Sequence, residues 1–120
     1  MVLLVDDDDD VRDAIADLLR IRGYKVTTAE DGRAALDVIG RSALPCVVLL
    51  DLVMPGMDGW HFLAVIRADP VLATIPIVIA SAHAATHPPT GTNEVLHKPF
   101  DLAELFAVVE RHCGPPPSPP

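Results

Sequence analysis

The sequence predicts an open α/β domain built on a parallel five-stranded sheet. Short apolar runs rich in Val, Ile and Leu alternate with segments whose apolar residues recur at helical spacing, as in strands joined by crossover helices. In the most informative stretch, residues 46–59, the apolar run Val47 to Leu50 ends on a carboxylate, Asp51. An unbroken apolar run is typical of a strand buried on both faces, so Asp51 is expected at the open end of a central strand.

Five strands and four helices are predicted in order along the chain. The strands are expected at residues 2–5, 25–28, 47–50, 75–80 and 94–97. The first helix follows Asp8 to Asp10, whose charges favour a helix N-terminus, and Gly23 ends it. The other helices are expected between Asp31 and Gly40, from Trp60 to Arg67 with Asp58 as the cap before it, and between the caps Asp101 and Gly114.

Five such strands suit a flavodoxin-like, doubly wound sheet in the order 2-1-3-4-5. In this order strands 1 and 3 are neighbours, and sheets of this kind bind ligands at the switch point between them. Both strands end on carboxylates: Asp6 and Asp7 follow the first, and Asp51 follows the third. The three side chains are therefore expected to converge in one crevice.

Chain length, net charge and cysteine content narrow the class of protein. The 120 residues are expected to form one domain, residues 1–113, followed by a disordered proline-rich tail, residues 114–120. The net charge of −8 argues against a nucleic-acid-binding surface. The apolar start, Val2 to Val5, is too short for a signal peptide or a membrane span. Cys46 and Cys113 form no disulfide framework, so we expect reduced thiols in a cytoplasmic protein.

The predicted crevice has the chemistry of a phosphoryl-transfer site. Three carboxylates about 5 Å apart repel one another, and oxygen ligands with room for water favour Mg²⁺. Ser81 ends the fourth strand and Lys98 ends the fifth, so both should reach the same edge of the sheet. A metal, an ammonium group and a hydroxyl around Asp51 would let this carboxylate act as a nucleophile and form an aspartyl phosphate.

These motifs resemble the response-regulator receiver domain of bacterial two-component signalling. In chain order they are Val5-Asp6-Asp7, Asp51 with Met54-Pro55-Gly56-Met57-Asp58-Gly59, Ser81-Ala82, and Lys98-Pro99-Phe100. The resemblance covers residues 2–113. It implies a stand-alone phosphoacceptor in a His-to-Asp phosphorelay. Asp51 would take a phosphoryl group from a sensor histidine kinase or phosphotransfer protein, and phosphorylation would change the binding of a downstream protein that the sequence does not name.

The resemblance also implies roles for individual residues. The implied Mg²⁺ ligands are Asp7, Asp51 and the backbone carbonyl of Val53, with Asp6 acting through water. Ser81 would move to bond the phosphoryl oxygen, and Lys98-Pro99 would be a cis peptide. Beyond phosphorylation and dephosphorylation of its own Asp51, the chain is not expected to be an enzyme.

Two features depart from the family pattern. The family usually has an aromatic residue three positions before the lysine, where this chain has Val95. The family's fourth helix lies between the fourth and fifth strands, where only the eleven residues 82–92 are available. A crossover with a helix needs at least ~10–12 residues, and Pro88 and Pro89 disfavour helical geometry. This helix is therefore expected to be shortened or absent, which leaves a patch for a partner or for a homodimer.

Two other functions fit parts of the sequence. A phosphatase of the haloacid dehalogenase type also places an Asp nucleophile after its first strand, and Asp8-Asp9-Asp10-Val11 superficially suits that pattern. The phosphatase hypothesis would leave Asp51 without a role. A pseudo-receiver would keep the fold and bind partners without carrying phosphate. The intact acidic pair, Asp51, Ser81 and Lys98 argue against it.

Overall fold

The computed structural model describes residues 1–41, 43–52, 54, 56–81 and 92–116, with Ser81 described by its backbone alone. The strands are β1 (Val2–Val5), β2 (Val26–Ala29), β3 (Val47–Leu50), β4 (Ile77–Ser81) and β5 (Glu94–His97). The described helices are α1 (Asp9–Ile21), α2 (Gly32–Arg41), α3 (Gly59–Ala68) and α4 (Leu102–Cys113), with a 3₁₀ turn at Leu72–Thr74. Each described element lies where the sequence predicts one, apart from this short turn.

The strands form one parallel sheet in the order β2-β1-β3-β4-β5. The predicted flavodoxin-like order 2-1-3-4-5 is therefore confirmed. The fourth strand begins at Ile77, two residues later than predicted. Pro76 has no N–H to donate to a ladder, so regular pairing starts after it. Its carbonyl still accepts the N–H of Val48 at 2.9 Å, which ties this corner to β3.

The sheet separates two apolar layers, because successive residues of a strand face opposite sides. In β1, Leu3 and Val5 belong to the layer that contains residues of α2 and α3, whereas Val2 and Leu4 belong to the layer of α1 and α4. All four side chains are at most 2 % exposed. Full burial of such a side chain stabilises the fold by about 1.5–3 kcal/mol, so the apolar runs form the interior.

Aspartate side chains begin all four of the described helices. Asp8, Asp31, Asp58 and Asp101 each cap the start of a helix by accepting the backbone N–H three residues further on, at 3.1, 2.8, 2.9 and 2.8 Å respectively. A cap of this kind contributes about 1 kcal/mol, because it satisfies an N–H that has no partner within the helix. The predicted helix starts at Asp58 and Asp101 are confirmed.

The prediction of two reduced thiols is wrong. Cys46 and Cys113 form a disulfide that joins residues 67 positions apart. Cys46 lies immediately before β3, and Cys113 is the last residue of α4. Because α4 packs against the sheet, its C-terminal end meets the N-terminal end of β3. The pairing is a product of the tertiary fold, and the spacing of two cysteines along the chain does not reveal it.

Two predicted features lie outside the described residues. The shortened or absent helix between β4 and β5 falls on residues 82–91, and most of the proline-rich tail falls on residues 117–120. Both stay predictions, and backbone chemical shifts of residues 82–92 would test the first. None of the described helices is long and apolar enough to cross a membrane.

Gly59 is required where α3 begins beside the end of β3. A Cβ added there would lie 2.6 Å from the backbone oxygen of Asp51 and 2.6 Å from the Cα of Leu52. We expect Gly59→Ala to lower the free energy of unfolding by about 1–3 kcal/mol, because backbone atoms would have to move. Urea denaturation monitored by circular dichroism measures this change.

Gly40 in α2 is the matched control, since nothing lies within 4 Å of a Cβ added there. Gly40→Ala should raise the free energy of unfolding by about 0.5–1 kcal/mol, because alanine loses less backbone entropy in a helix. A Gly59→Ala variant as stable as the wild type would contradict the close approach of α3 to β3.

Candidate functional site

The parallel register of β1 and β3 places two carboxylates side by side. Val5 and Leu50 are paired at the ends of these strands, so Asp6 and Asp51 are the next residues at the same edge. The backbone N–H of Asp51 donates to the carbonyl of Val5 at 2.9 Å, and that of Asp6 donates to Ala29 at 3.1 Å. Hydrogen bonds that continue the sheet therefore hold the backbone of both residues.

The side chains of Asp6, Asp7 and Asp51 come together as the sequence predicts. One carboxylate oxygen from each lies within 4.8 Å of the other two. Asp6 is buried, Asp51 is partly buried and Asp7 is exposed, so the group is reachable from solvent. At about 5 Å and an effective dielectric near 20, two carboxylates repel by about 3 kcal/mol. Three hard oxygen donors with solvent access suit Mg²⁺, which keeps several water ligands.

Lys98 offsets part of this repulsion. It follows β5, and its Nζ lies 2.5 Å from Oδ2 of Asp6, whose other oxygen accepts the N–H of Asp8 at 2.9 Å. The side chain of Lys98 is 22 % exposed and that of Asp6 is 3 % exposed, so solvent screens the pair only weakly. The peptide bond between Lys98 and Pro99 is cis, as the resemblance implies.

Ser81 lies at the end of β4 and is paired with His97 of β5. Since β4 lies between β3 and β5, the backbone of Ser81 is at the same edge of the sheet as Asp51 and Lys98. The Ser81 side chain and Val53 lie outside the described part of the chain. The predicted roles of the Ser81 hydroxyl and the Val53 carbonyl therefore stay predictions.

Arg12 of α1 is a second cation near the acidic cluster, and the sequence reasoning missed it. Its Nη1 donates to the backbone oxygen of Asp6 at 3.1 Å, and its Nη2 pairs with Asp9 at 2.7 Å. The Arg12 side chain is only 13 % exposed. The i, i+3 spacing of Asp9 and Arg12 was the available signal, but such spacing usually marks a solvated helix face. Arg12 supports the turn that carries the first two carboxylates.

A doubly wound parallel sheet whose carboxyl edge gathers three carboxylates and one lysine defines a class of small α/β domains built for phosphoryl chemistry. A family model matches residues 2–110, and its description is the response regulator receiver domain. The chain belongs to this family. Receiver domains are phosphoacceptor signalling domains of two-component systems rather than classic enzymes, and they interact with histidine kinases or phosphotransfer partners.

Curated relatives support the same family. An uncharacterised 14.6 kDa protein of Leptolyngbya boryana is 34 % identical over 117 residues, which cover 93 % of this chain and 88 % of that protein. Response regulator Rre1 of Synechocystis is 36 % identical over 114 residues, which cover 90 % of this chain. The match spans only 49 % of the Synechocystis protein. These relatives give no support to the phosphatase alternative.

Solved structures show the same architecture. The receiver domain of a Pseudomonas aeruginosa sensor histidine kinase aligns with a TM-score of 0.85 at 32 % identity, covering 94 % of this chain and 96 % of that one. That structure has a magnesium ion coordinated in its active-site cleft. The acidic cluster of Asp6, Asp7 and Asp51 is of the kind that holds such an ion.

The contact between Lys98 and Asp6 should contribute to stability. We expect Lys98→Met to lower the free energy of unfolding by about 1–3 kcal/mol, because Asp6 would stay buried without its cation. Urea denaturation in EDTA measures this change without any contribution from a metal.

Lys25 is the chain's other lysine and is exposed, so Lys25→Met is the matched control. This control should change the free energy of unfolding by less than about 0.5 kcal/mol. If the two variants were equally stable, the ion pair of Lys98 would contribute nothing measurable.

Proposed function

We propose that Asp51 is the phosphoacceptor and that it receives a phosphoryl group from a phosphohistidine on a sensor histidine kinase or phosphotransfer protein. The observation that carries this proposal is the approach of Asp6, Asp7 and Asp51 to within 4.8 Å at the edge of the sheet. The burial of Asp6 argues against that carboxylate as the acceptor. Asp6 is buried and already holds Lys98 and the amide of Asp8, whereas Asp51 is partly exposed to an incoming group.

The donor set fits Mg²⁺, which when bound supplies positive charge against the oxygens of the transferring phosphoryl group. Asp7, Asp51 and the backbone carbonyl of Val53 are the proposed ligands, with Asp6 acting through water. The polar oxygens and the exposed side of the cluster support this assignment, because Mg²⁺ prefers carboxylates together with retained waters. No softer donor is present among the three clustered residues.

In the proposed transfer, an oxygen of the Asp51 carboxylate attacks phosphorus as the phosphorus–nitrogen bond of the phosphohistidine breaks. The electron pair of that bond stays on the imidazole, and Asp51 becomes a mixed anhydride. The signal ends by hydrolysis: water attacks the phosphorus, inorganic phosphate leaves and the Asp51 carboxylate is restored. These are the only reactions proposed for the chain itself.

Lys98 and Ser81 are the proposed partners of the acyl phosphate. The ammonium of Lys98 lies at the cluster against Asp6, so a phosphoryl group on Asp51 would compete with Asp6 for that cation. The strand position of Ser81 supports a hydroxyl contact to the same phosphoryl group. If Lys98 left Asp6 for the phosphoryl group, its movement would be passed to the start of α4, because Leu102, the first residue of this helix, follows Lys98 closely.

The proposed output is a change in the binding of a downstream protein. Val95 stands where an aromatic residue usually relays the signal, and it packs partly buried against the core layer that contains residues of α2 and α3. The proposed readout therefore lies at the loop after Asp51 or in the segment between β4 and β5, through a protein partner or a second copy of the chain. We place this signalling in the cytoplasm, and the net charge of −8 supports a partner other than nucleic acid.

Phosphorylation should require Asp51. With acetyl phosphate and Mg²⁺, the wild-type chain should gain one phosphoryl group, and Asp51→Asn should gain none, because an amide is not a nucleophile for this transfer. Intact mass spectrometry measures both. Asp58→Asn is the matched control, because asparagine caps α3 as well as aspartate does and the variant should still be labelled. Labelling that survives in Asp51→Asn and maps to Asp6 or Asp8 would favour the phosphatase alternative.

Mg²⁺ should stabilise the fold by relieving repulsion among the carboxylates. At about ten times the dissociation constant, one site contributes about 1.4 kcal/mol, or roughly 5 °C in melting temperature. Asp7→Asn should lose most of this response, because it removes a ligand and one repelling charge. Asp10→Asn, in the same acidic run but on the first turn of α1, should keep it. Identical melting in millimolar Mg²⁺ and in EDTA would refute the metal site.

A further inference from the structure

The disulfide lies at the end of β3 opposite the acidic cluster. Cys46 immediately precedes β3 and Asp51 immediately follows it, so the strand separates the two features. The Cα atoms of Cys46 and Cys113 are 5.3 Å apart. This separation is within the range that a disulfide needs. In the same backbone arrangement, the two thiols of a reduced chain would therefore already be neighbours.

Both cysteines are accessible from solvent. Cys46 and Cys113 are each only partly buried, and together with Tyr24 and Lys25 they line a cleft of about 210 Å³. A small thiol or disulfide can therefore reach the sulfur atoms.

The position of α4 on the sheet does not depend on the disulfide alone. Its residues Leu105, Val108 and Val109 are buried in the same apolar layer as the residues of α1, and Asp101 caps its first turn. Burial of this apolar face keeps most of the helix docked in either redox state. The disulfide adds a covalent link at the final residue, where the helix leaves the sheet.

Non-covalent contacts of the last turn are weaker. The hydroxyl of Tyr24 donates to the carbonyl of Gly114 at 2.9 Å. Burial, and next the charge of Glu110, raise the pKa of Tyr24, so the hydroxyl keeps its proton at neutral pH. Glu94 of β5 pairs with Arg111, and its other oxygen lies 2.8 Å from Nε2 of His112. The side chains of Glu94, Arg111 and His112 are partly or largely exposed, which weakens their contacts. The disulfide is therefore the strongest restraint on this turn.

We propose that Cys46 and Cys113 are a redox-responsive pair that exchanges with small-molecule disulfides and sets how firmly the C-terminal turn of α4 is held. Oxidation proceeds in two exchange steps. One cysteine thiolate attacks a sulfur of oxidised glutathione, forms a mixed disulfide and releases a glutathione thiolate. The second cysteine thiolate attacks the protein sulfur of that mixed disulfide, closes the Cys46–Cys113 bond and releases the second glutathione thiolate. The protein loses two electrons and two protons, and glutathione disulfide is reduced to two thiols.

A redox titration tests the pair directly. The wild-type chain is equilibrated with mixtures of reduced and oxidised glutathione, free thiols are trapped with iodoacetamide, and the intact mass is measured. We expect the unalkylated, internally bonded form to be replaced by the doubly alkylated form as the proportion of reduced glutathione rises. Persistence of the bond in millimolar reduced glutathione, with opening only by dithiothreitol, would show an inert structural disulfide and overturn the proposal. Stable glutathione adducts or disulfide-linked dimers in place of the internal bond would also overturn it.

The effect on α4 is tested by thermal melting and amide hydrogen exchange of the two redox forms. The oxidised chain should melt roughly 8–20 °C above the reduced one. Reduction should speed exchange of the amides of residues 110–114 several-fold through local fraying, whereas the amides of β1 and β3, which exchange through global unfolding, should follow the fall in overall stability. A variant with both Cys46→Ser and Cys113→Ser should behave as the reduced chain at every glutathione ratio, and reduced, alkylated wild type provides the same comparison if that variant folds poorly. Equal protection of residues 110–114 in both forms would refute control of the turn by the disulfide.

Discussion

The repulsion among Asp6, Asp7 and Asp51 is the constraint on which the rest of the site depends. Parallel pairing of β1 with β3 puts two of these carboxylates at neighbouring positions, and the sheet's own hydrogen bonds prevent their backbones from moving apart. Each close pair costs about 3 kcal/mol at an effective dielectric near 20. Positive charge must therefore lie close to the three carboxylates. This requirement is the reason why the site suits a metal ion and phosphoryl chemistry.

Two cationic side chains of the protein at this edge of the sheet offset part of the repulsion. Lys98 binds Asp6 directly, and Arg12 binds the backbone oxygen of the same residue. Both contacts stabilise the acidic turn after β1, and Asp51 is the partly exposed member of the cluster. In the proposed function, a change in the partner of Lys98 would couple the site to its surroundings. The same lysine immediately precedes the turn into α4, the helix whose far end carries the disulfide.

The two ends of the sheet thus have different chemistry. The charged groups, and with them the proposed phosphoryl transfer, lie at the carboxyl ends of β1, β3 and β5, whereas the amino end of β3 carries a covalent link to α4. The buried side chains of the apolar layers between them are at most 9 % exposed, and a close-packed interior of this kind transmits displacement rather than absorbing it. α4 begins shortly after Lys98 at one end and carries Cys113 at the other.

The sequence by itself determined the fold class, the strand order and the membership of the acidic cluster. The apolar runs that end on Asp6 and Asp51 can be recognised in the sequence. A strand buried on both faces is apolar, and a carboxylate at its end does not contribute to that packing. Helix starts at Asp58 and Asp101 were equally predictable, since an N-cap acts within three residues of chain. Only the tertiary structure decided which cation binds which carboxylate, because Lys98 and Asp6 are 92 positions apart. It likewise paired Cys46 with Cys113, since contact between distant residues depends on how a helix docks, and no local spacing encodes that.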